Sequence, residues 1–358
     1  MRLLSLAVSV LLAACATCSA ESAPFPIRVI NLDRDTARLA TVLAQLEAKG
    51  VPRDSIERQP AVLGKSLTDE ELRKCTTLLS RMFATRGMIG CYLSHRDFWA
   101  HTLAREDSEW VLVLEDDVEV ADDFCTRVAA AVEELQACAE TRDQWDVLLI
   151  GALGCVHPEG RHGLNRINAF VSGGGRKRRR VTEQIHVPRR PFGTHAYALS
   201  KRGAAKLLAR APIATMHVDA VAWGLPELQL YCVHPMLAHQ AFDDSTIGGT
   251  QRGPEALLPH ICLDPYTRVT LRWAWNEPVI HLPMTPITLT IGRSLLISAF
   301  GFAIAAATGN RAFLAGHTAL NLAVFFLLRY LLRPVASVGG GSAAPAIQQH
   351  EQVAMQEV

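Results

Sequence analysis

The feature that most constrains this chain is a short apolar run that ends directly in three acids. Residues 110–114 read WVLVL, and such a run of mostly β-prone residues is expected of a strand buried on both faces. Glu115, Asp116 and Asp117 follow at once. Like charges this close repel one another, and burial without partners is strongly unfavourable. A divalent cation would offset that cost, since hard cations such as Mn²⁺ or Mg²⁺ prefer carboxylate oxygens.

Two interpretations of these acids are open. Ligands of open α/β sheets bind beyond the carboxyl ends of the strands, which favours a binding site. An acid-x-acid pair also places Glu115 and Asp117 on the same side of an extended segment, which favours both as metal ligands. The alternative is a solvated turn that begins the next helix, predicted at residues 122–138.

The residues around this strand predict an α/β domain. A helix is predicted at residues 87–103, with Tyr92, Phe98, Trp99 and Leu103 available for a buried stripe. Further strands are predicted at residues 27–32, 145–150 and 194–199, and further helices at residues 33–49 and 201–209. A chain of 358 residues with 49% hydrophobic content is long enough for one large domain with appended segments.

The N-terminus differs from this central region. Residues 1–20 combine Arg2, an apolar run at 3–14 and small residues at 18–20, which predicts a secretory signal peptide cleaved after Ala20. A lipidated N-terminus at Cys15 and a short uncleaved anchor are the alternatives.

The C-terminus is strongly apolar, and the mean hydropathy of the whole chain, +0.14, suggests membrane segments. Residues 287–308 and 312–328 contain few polar side chains, and a bilayer span needs about 20 apolar residues. We predict a transmembrane hairpin, or one span with an interfacial helix, at residues 287–333; two buried helices of a soluble protein are the alternative. The Gly-, Ala- and Gln-rich composition of residues 335–358 predicts a disordered tail.

Six segments occur in an order that points to one family. They are VINLDRDTAR, MIGCYLSHRDFW, WVLVLEDDVEV, WDVLLIG, THAYALSKRGAAKLL and HQAFDDSTI. Together, over roughly residues 25–265, they resemble glycosyltransferase family 25, which contains lipopolysaccharide galactosyltransferases and collagen hydroxylysine galactosyltransferases. The resemblance implies an α/β fold of the GT-A type with a mixed, mainly parallel sheet. Two positions depart from the family pattern, because Met88 replaces a glutamate and His217 replaces a proline.

The resemblance also implies roles for individual residues. The expected contacts of the nucleotide-sugar donor are Asn31, Arg34, Arg38, His95, Glu115 and Asp116. The expected metal ligands are Asp117, Glu115 and His239, and the candidate catalytic residues are Asp219, Asp243 and Asp244. Asp219 is favoured as the base that takes the proton of the acceptor hydroxyl. The alternatives are a solvated helix face for Arg38, structural roles for His95 and His239, and a helix cap for Asp219.

The reaction that the resemblance implies is transfer of a hexose, galactose from UDP-galactose, to an acceptor hydroxyl with inversion. The acids themselves support metal-assisted departure of a nucleoside diphosphate. The expected partners are a nucleotide sugar, a glycan, protein or lipid acceptor, and a membrane. The net charge of +1 gives no field that favours nucleic acid.

The signal-like start and the apolar C-terminus predict a membrane protein of the secretory pathway, facing the lumen of the endoplasmic reticulum or Golgi, or of the cell envelope. Two other functions are open. One is a different metal-dependent transferase that acts on phosphates or nucleotides. The other is an inactive, membrane-bound homologue that serves as a binding protein.

Overall fold

The computed structural model of the chain describes residues 25–160, 170, 175–241, 258–259, 261–285 and 287–332. The predicted signal peptide at residues 1–20 and the predicted tail at residues 335–358 lie outside the described residues. The same holds for Asp243 and Asp244, so the structure gives no account of these two candidates.

An eight-stranded sheet forms the centre of the described chain. The strands of the structure are β1 (Ile27–Asn31), β2 (Ile56–Pro60), β3 (Trp110–Glu115), β4 (Val118–Val120), β5 (Val147–Cys155), β6 (Arg179–Arg180), β7 (Ile185–Val187), β8 (Arg190–Ser200), β9 (Leu230–Val233), β10 (Ala238–Gln240), β11 (Cys262–Asp264), β12 (Val269–Thr270), β13 (Pro278–His281) and β14 (Thr288–Thr290). The order across the large sheet is β2-β1-β3-β8-β5-β9-β7-β6, and β4 pairs separately with β10. Within the described sheet only β8 and β7 run against the other strands, so the sheet is mixed and mostly parallel, as predicted.

Helices cover both faces of this sheet. They are α1 (Thr36–Ala48), α2 (Asp69–Cys75), α3 (Leu78–Phe83), α4 (Arg86–Ala104), α5 (Phe124–Ala137), α6 (Lys201–Arg210), α7 (Val218–Ala222), α8 (Leu271–Asn276), α9 (Ile291–Thr308) and α10 (Arg311–Leu331). On β3, Val111 and Val113 pack into the cluster that contains α4, α6 and α7. Leu112 and Leu114 pack into the opposite cluster, with α1 and α5. Successive side chains of a strand point to opposite faces, so an uninterrupted apolar run requires a layer on each side.

The helix predicted at residues 87–103 is present as α4, with one correction. Phe98 and Trp99 are fully buried, as predicted. Leu103 is 43% exposed, so its assignment to the buried stripe is wrong. The buried face of the last turns runs through Phe98, Trp99 and Thr102, which leaves Leu103 on the outer side of the helix.

The C-terminal part of the described chain forms a helical hairpin, α9 and α10. Gly309 closes the turn between them with a φ of 64°, a left-handed conformation that favours glycine. Both helices are long and apolar enough to cross a membrane, judged by length and composition. Leu331 is 3% exposed against the core, whereas Leu320 and Phe326 are 59% and 62% exposed. Both helices are therefore largely exposed in the described chain, and their place in a membrane stays a prediction.

Candidate active site

The three acids lie at the carboxyl end of β3, beside the carboxyl end of β1. These strands pair in parallel, with Ile30 opposite Glu115 in register. The side chains of Glu115, Asp116 and Asp117 are only 17%, 11% and 15% exposed. A solvated turn is therefore excluded, and the acids occupy the edge where ligands of α/β sheets bind.

Glu115 ends a chain of buried hydrogen bonds. The Trp99 indole N–H donates to the Tyr197 hydroxyl (3.0 Å), and that hydroxyl lies 3.0 Å from Nδ1 of His95. When the hydroxyl donates to Nδ1, Nε2 keeps its proton and donates to Glu115 Oε1 (3.2 Å). Thr194 Oγ1 donates to the same oxygen (2.6 Å). His95 is 1% exposed and bonded through both nitrogens, which is the structural role left open by the sequence.

Two of the acids differ in their affinity for protons. Burial disfavours ionisation of Glu115. The hydrogen bond from His95, the charge of its protonated form and the Thr194 hydroxyl together lower the pKa of Glu115 to about 2. Burial raises the pKa of Asp117 to about 7, and the charge of Glu115 adds to that shift. Glu115 is therefore the fixed negative charge, and Asp117 is the acid that most needs a cation.

Asp116 is held by residues of β1 and α1. Asn31 Nδ2 donates to its Oδ2 (2.7 Å). The Arg38 guanidinium lies 2.6 Å from Asp116 Oδ1 and 3.1 Å from Asp117 Oδ2, so it bridges two of the carboxylates. Burial raises the pKa of Asp116, and Arg38 opposes that shift. Arg38 therefore faces the acids and does not belong to a solvated helix face.

All six residues predicted to contact the donor line one cavity of about 100 Å³, which we call the carboxylate cavity. Its wall contains Asn31, Arg34, Arg38, His95, Glu115 and Asp116, together with Asp117, Gln240, Cys91 and residues 61–65. The structure thus brings these residues together from four elements. Their role in donor binding stays a prediction.

Asp219 lies in the first turn of α7 and faces a second cavity. Its Oδ2 accepts the backbone N–H of Gly193 and its Oδ1 accepts that of Ala220, both at 2.6 Å. Gly193 has a φ of 80°, a left-handed conformation that favours glycine. In this conformation its N–H group donates to the Asp219 carboxylate. The N-cap position of α7 is His217, so Asp219 is not the helix cap.

The second cavity, of about 460 Å³, lies between β8, α7, α8 and the base of the α9–α10 hairpin; we call it the hairpin cavity. Cys91, Glu115 and Gln240 line both cavities. Glu115 therefore stands at the junction between a polar cavity that contains the acids and a larger cavity that contains Asp219.

A family model named "Glycosyltransferase family 25 (LPS biosynthesis protein)" matches residues 25–222, more than half of the chain. The chain belongs to glycosyltransferase family 25. The matched region includes β1, the acids after β3, and α7 with Asp219.

Curated relatives carry the same family name. "Inactive glycosyltransferase 25 family member 3" of Homo sapiens is 32% identical over 231 residues, which cover 59% of this chain and 34% of that protein. "Glycosyltransferase 25 family member" of Aedes aegypti is 29% identical and covers 52% and 28%. "Procollagen galactosyltransferase 2" of Mus musculus is 27% identical and covers 61% and 32%. The chain spans about a third of the length of these relatives.

Among solved structures, a galactosyltransferase LgtC in complex with donor and acceptor sugar analogs matches 50% of this chain and 59% of that chain. The identity is 12% and the TM-score is 0.25, which is too low to support conclusions about this family 25 chain.

In this family 25 chain the structure places Gln240, rather than His239, beside the acids. β10 pairs with β4 so that Gln240 is opposite Val118 and His239 is opposite Glu119. Gln240 Nε2 donates to Asp117 Oδ2 (3.2 Å), and Gln240 lines the carboxylate cavity. Neighbouring residues of a strand point to opposite sides. His239 is therefore without contact to Asp117 in the described chain, and its role as a ligand stays a prediction.

In the part of the chain that the structure describes, no group of three or more His, Cys, Asp or Glu side chains is arranged to hold a metal ion. One observation nevertheless fits a cation. Asp117 Oδ1 is a buried oxygen without a hydrogen-bond partner among the described residues. Such an orphaned acceptor is rare in folded proteins, and a hard cation is a suitable partner for it.

Glu277 lies beyond the family-matched region and was not predicted from the sequence. Its carboxylate lines the hairpin cavity, and His217 Nδ1 lies 3.8 Å from its Oε1. Burial raises the pKa of Glu277 to about 7; His217 opposes this shift and the charge of Asp219 adds to it. The one signal in the sequence was His217, which stands where the family pattern has a proline. This histidine is the residue beside Glu277 in the folded chain.

Proposed function

We propose that this family 25 chain is a membrane-anchored hexosyltransferase of the GT-A type. It moves galactose from UDP-galactose to an acceptor hydroxyl, with inversion and with Mn²⁺ or Mg²⁺ bound at the acids. The observation that carries this proposal is the junction of two cavities at Glu115. A transferase must hold donor and acceptor side by side. The polar lining of the carboxylate cavity suits the charged diphosphate part of a nucleotide sugar, and the larger cavity suits an acceptor.

The cation would be held by Asp117, through its unpartnered Oδ1, with Glu115 as the second carboxylate. When bound, it neutralises the negative charge that develops on the departing diphosphate. Gln240 and Arg38 hold the other oxygen of Asp117, so the side chain is oriented before any ligand arrives.

The remaining residues of the carboxylate cavity orient the donor. Asn31 and Arg38 fix Asp116 at the edge of the sheet, where it would contact the donor ribose. Arg34 lies at the rim, with 53% of its side chain exposed and its Nε 3.6 Å from Asp35 Oδ1; from this exposed pair it would turn to a diphosphate group. His95 orients Glu115 through its hydrogen bond. As part of the cavity wall, it would also contact the bound donor.

Asp219 is the proposed base. As the acceptor oxygen bonds to the anomeric carbon, the bond from that carbon to the diphosphate oxygen breaks, and the hydroxyl proton passes to an Asp219 oxygen. Two backbone N–H groups hold both oxygens of Asp219 in place within the hairpin cavity. The acids at the end of β3 are unsuited to this task, because Arg38, His95 and the proposed cation engage them.

An inactive binding protein is the second candidate. Two observations favour it: several relatives are named inactive, and the Arg38 guanidinium already bridges Asp116 and Asp117. In such a protein the arginine would replace the cation permanently. The buried, unpartnered oxygen of Asp117 is what favours the transferase.

The test is a donor screen on the full-length protein in detergent, with released UDP as the readout and with or without Mn²⁺. UDP-galactose is compared with other UDP-sugars and with nucleoside triphosphates. Mn²⁺-stimulated release of UDP from UDP-galactose is expected. Turnover of nucleoside triphosphates would support another phosphate transferase, and no turnover of any donor would support the inactive homologue.

A further inference from the structure

The hairpin cavity combines carboxylates with an apolar wall from the C-terminal hairpin. The apolar side chains are Ile291 at the start of α9, and Leu328 and Leu332 at the end of α10. Because α9 begins where α10 ends, all three lie at the same end of the hairpin, its base. The cavity therefore opens against the part of the hairpin that is nearest to the catalytic domain.

The apolar surface continues from this base along both helices. Phe300 on α9 and Leu320 on α10 are 69% and 59% exposed. Both helices have the length and composition of membrane spans. In a bilayer, the base of the hairpin and the cavity beside it would lie at the membrane surface, within reach of lipids.

The charged side chains of the cavity limit the headgroup that it can accept. Carboxylates of Glu115, Asp219, Asp264 and Glu277 line it. Among the described residues no lysine or arginine does so. The one basic side chain in the described lining is His217, which lies 3.8 Å from Glu277 and is outnumbered by the four acids. A phosphate or carboxylate headgroup would therefore meet mostly like charge, whereas hydroxyl groups can donate hydrogen bonds to the carboxylate oxygens.

We propose that the hairpin cavity is the acceptor site for a membrane lipid with an uncharged, hydroxyl-bearing headgroup, whose hydrocarbon chain lies against the base of α9 and α10. This inference rests on the proposed transferase function and names its acceptor class. The volume of about 460 Å³ falls within the roughly 300–1,000 Å³ of small-molecule sites, enough for a headgroup and the first part of a chain.

The transfer places the lipid hydroxyl between Asp219 and the junction at Glu115. The hydroxyl oxygen bonds to the anomeric carbon, and the diphosphate leaves with the electron pair of the broken bond. The proton of the hydroxyl goes to Asp219. The hydrocarbon chain takes no part in the chemistry, so its contribution is to binding of the acceptor.

The test is photolabelling of the full-length protein in uncharged phosphatidylcholine vesicles. The probe is hexadecanol with a diazirine in its chain, and labelled residues are mapped by mass spectrometry. We expect labels on cavity residues such as Met216, Trp273 and Leu328. Labels confined to outward-facing residues such as Phe300 and Leu320 would overturn the proposal, because they would show a lipid-exposed hairpin whose cavity holds a water-soluble acceptor or another part of this chain.

Two substitutions that fill the cavity sharpen the test. Leu328→Trp and Ile291→Trp narrow it from different helices, and each is expected to reduce cavity labelling at least fivefold. The matched control is Leu320→Trp, because Leu320 lies on α10 but outside the cavity. Unchanged cavity labelling in either filling variant that keeps the wild-type melting temperature would also overturn the proposal.

Labelling is independent of turnover, so it separates this inference from the proposed function. If the donor screen fails but the cavity is labelled, the lipid site stands and the transferase does not. If UDP release from UDP-galactose is stimulated equally by methyl and dodecyl glycosides, the transferase stands and the lipid acceptor does not. Preference for the dodecyl glycoside, lost in Leu328→Trp but kept in Leu320→Trp, supports both.

Discussion

Three consecutive carboxylates, Glu115, Asp116 and Asp117, have different partners in the folded chain. Glu115 accepts hydrogen bonds from a histidine and a threonine, and Asp116 from an asparagine and an arginine. Asp117 keeps one buried oxygen without a partner among the described residues. Three neighbouring acids thus differ in their chemistry, because their hydrogen-bond and ion-pair partners come from β1, α1, α4 and β8.

Asp117→Asn should lower turnover by roughly 100-fold or more, because the amide removes the charge that would hold a cation. The fold should persist, since the substitution relieves repulsion from Glu115. The measurement is UDP release with and without Mn²⁺, next to a thermal melt. Glu119→Gln, an exposed acid of β4 two residues away, is the matched control and should keep normal turnover. Near-normal, metal-stimulated activity of the Asp117 variant would show that the ligand assignment is wrong.

The substitution Asp219→Asn tests whether Asp219 acts as the base or as a contact of the donor sugar. Transfer should collapse, because an amide cannot take the proton of the acceptor hydroxyl. Affinity for UDP-galactose should change by no more than a few-fold, measured by titration calorimetry. Lost donor binding would reassign Asp219 to the donor sugar. Retained transfer would move the role to Glu277, Asp243 or Asp244.

The raised pKa of Glu277 predicts how the stability of the folded chain depends on pH. Its pKa is raised to about 7 in the folded chain, so between about 4.5 and 7 the folded protein keeps a proton that the unfolded chain has lost. Stability should therefore fall as pH rises through this window, by roughly 1–3 kcal/mol. Glu277→Gln should flatten this part of the curve, measured by melting at several pH values. Burial also raises the pKa of Asp117 to about 7 and that of Asp97 to about 6, so an unchanged slope in the variant would assign the effect to these two acids.

At the scale of elements, the short helix α7 is held by two arginines. One belongs to the basic run RKRRR at residues 176–180, and the other is Arg190. Arg176 donates to the carbonyl oxygens of Trp223 and Leu225, both at 2.6 Å. Arg190 donates to that of Ala220 at 3.1 Å. A helix of one turn has almost no stability of its own, so these contacts keep Asp219 in position.

Arg176→Ala should destabilise the domain by about 2–3 kcal/mol, because it leaves buried carbonyl groups without donors. Transfer should fall together with stability, since α7 carries Asp219. Arg179→Ala is the matched control from the same basic run. Its partner is the exposed Glu140, and surface pairs contribute little, so we expect a change within about 0.5 kcal/mol. Equal melting temperatures for the two variants would refute the role of Arg176.

At the scale of the whole molecule, the two ends of the chain predict on which side of a membrane the domain lies. Residues 22–285 should lie in a secretory lumen or outside the cell, as the signal-like N-terminus and the apolar hairpin indicate. Protease added to sealed vesicles should leave this region intact, and detergent should make it cleavable. Digestion before detergent is added would place the domain on the cytosolic side.

Much of the fold follows from local patterns in the sequence. The apolar run at residues 110–114 required a layer on each face of the sheet, and the structure has both. The side chains of Thr68 and Ser200 cap α2 and α6, as expected of Thr and Ser residues that directly precede a helical segment. The lengths of α9 and α10 follow from their apolar composition. These properties depend on neighbours within about one helical turn or strand, so they are readable without tertiary contacts.

The partners within the site were decided by tertiary structure. The choice of Gln240 over His239 depends on the register of β10 against β4, and a shift of one residue would reverse it. Glu277 reaches the hairpin cavity from beyond the family-matched region, through the position of α8 and β13. By itself, the sequence determined that buried acids end a central strand and that an apolar hairpin follows the domain. Which side chains hold those acids, and that the hairpin walls a cavity beside them, required the fold, because such contacts join residues far apart in the chain.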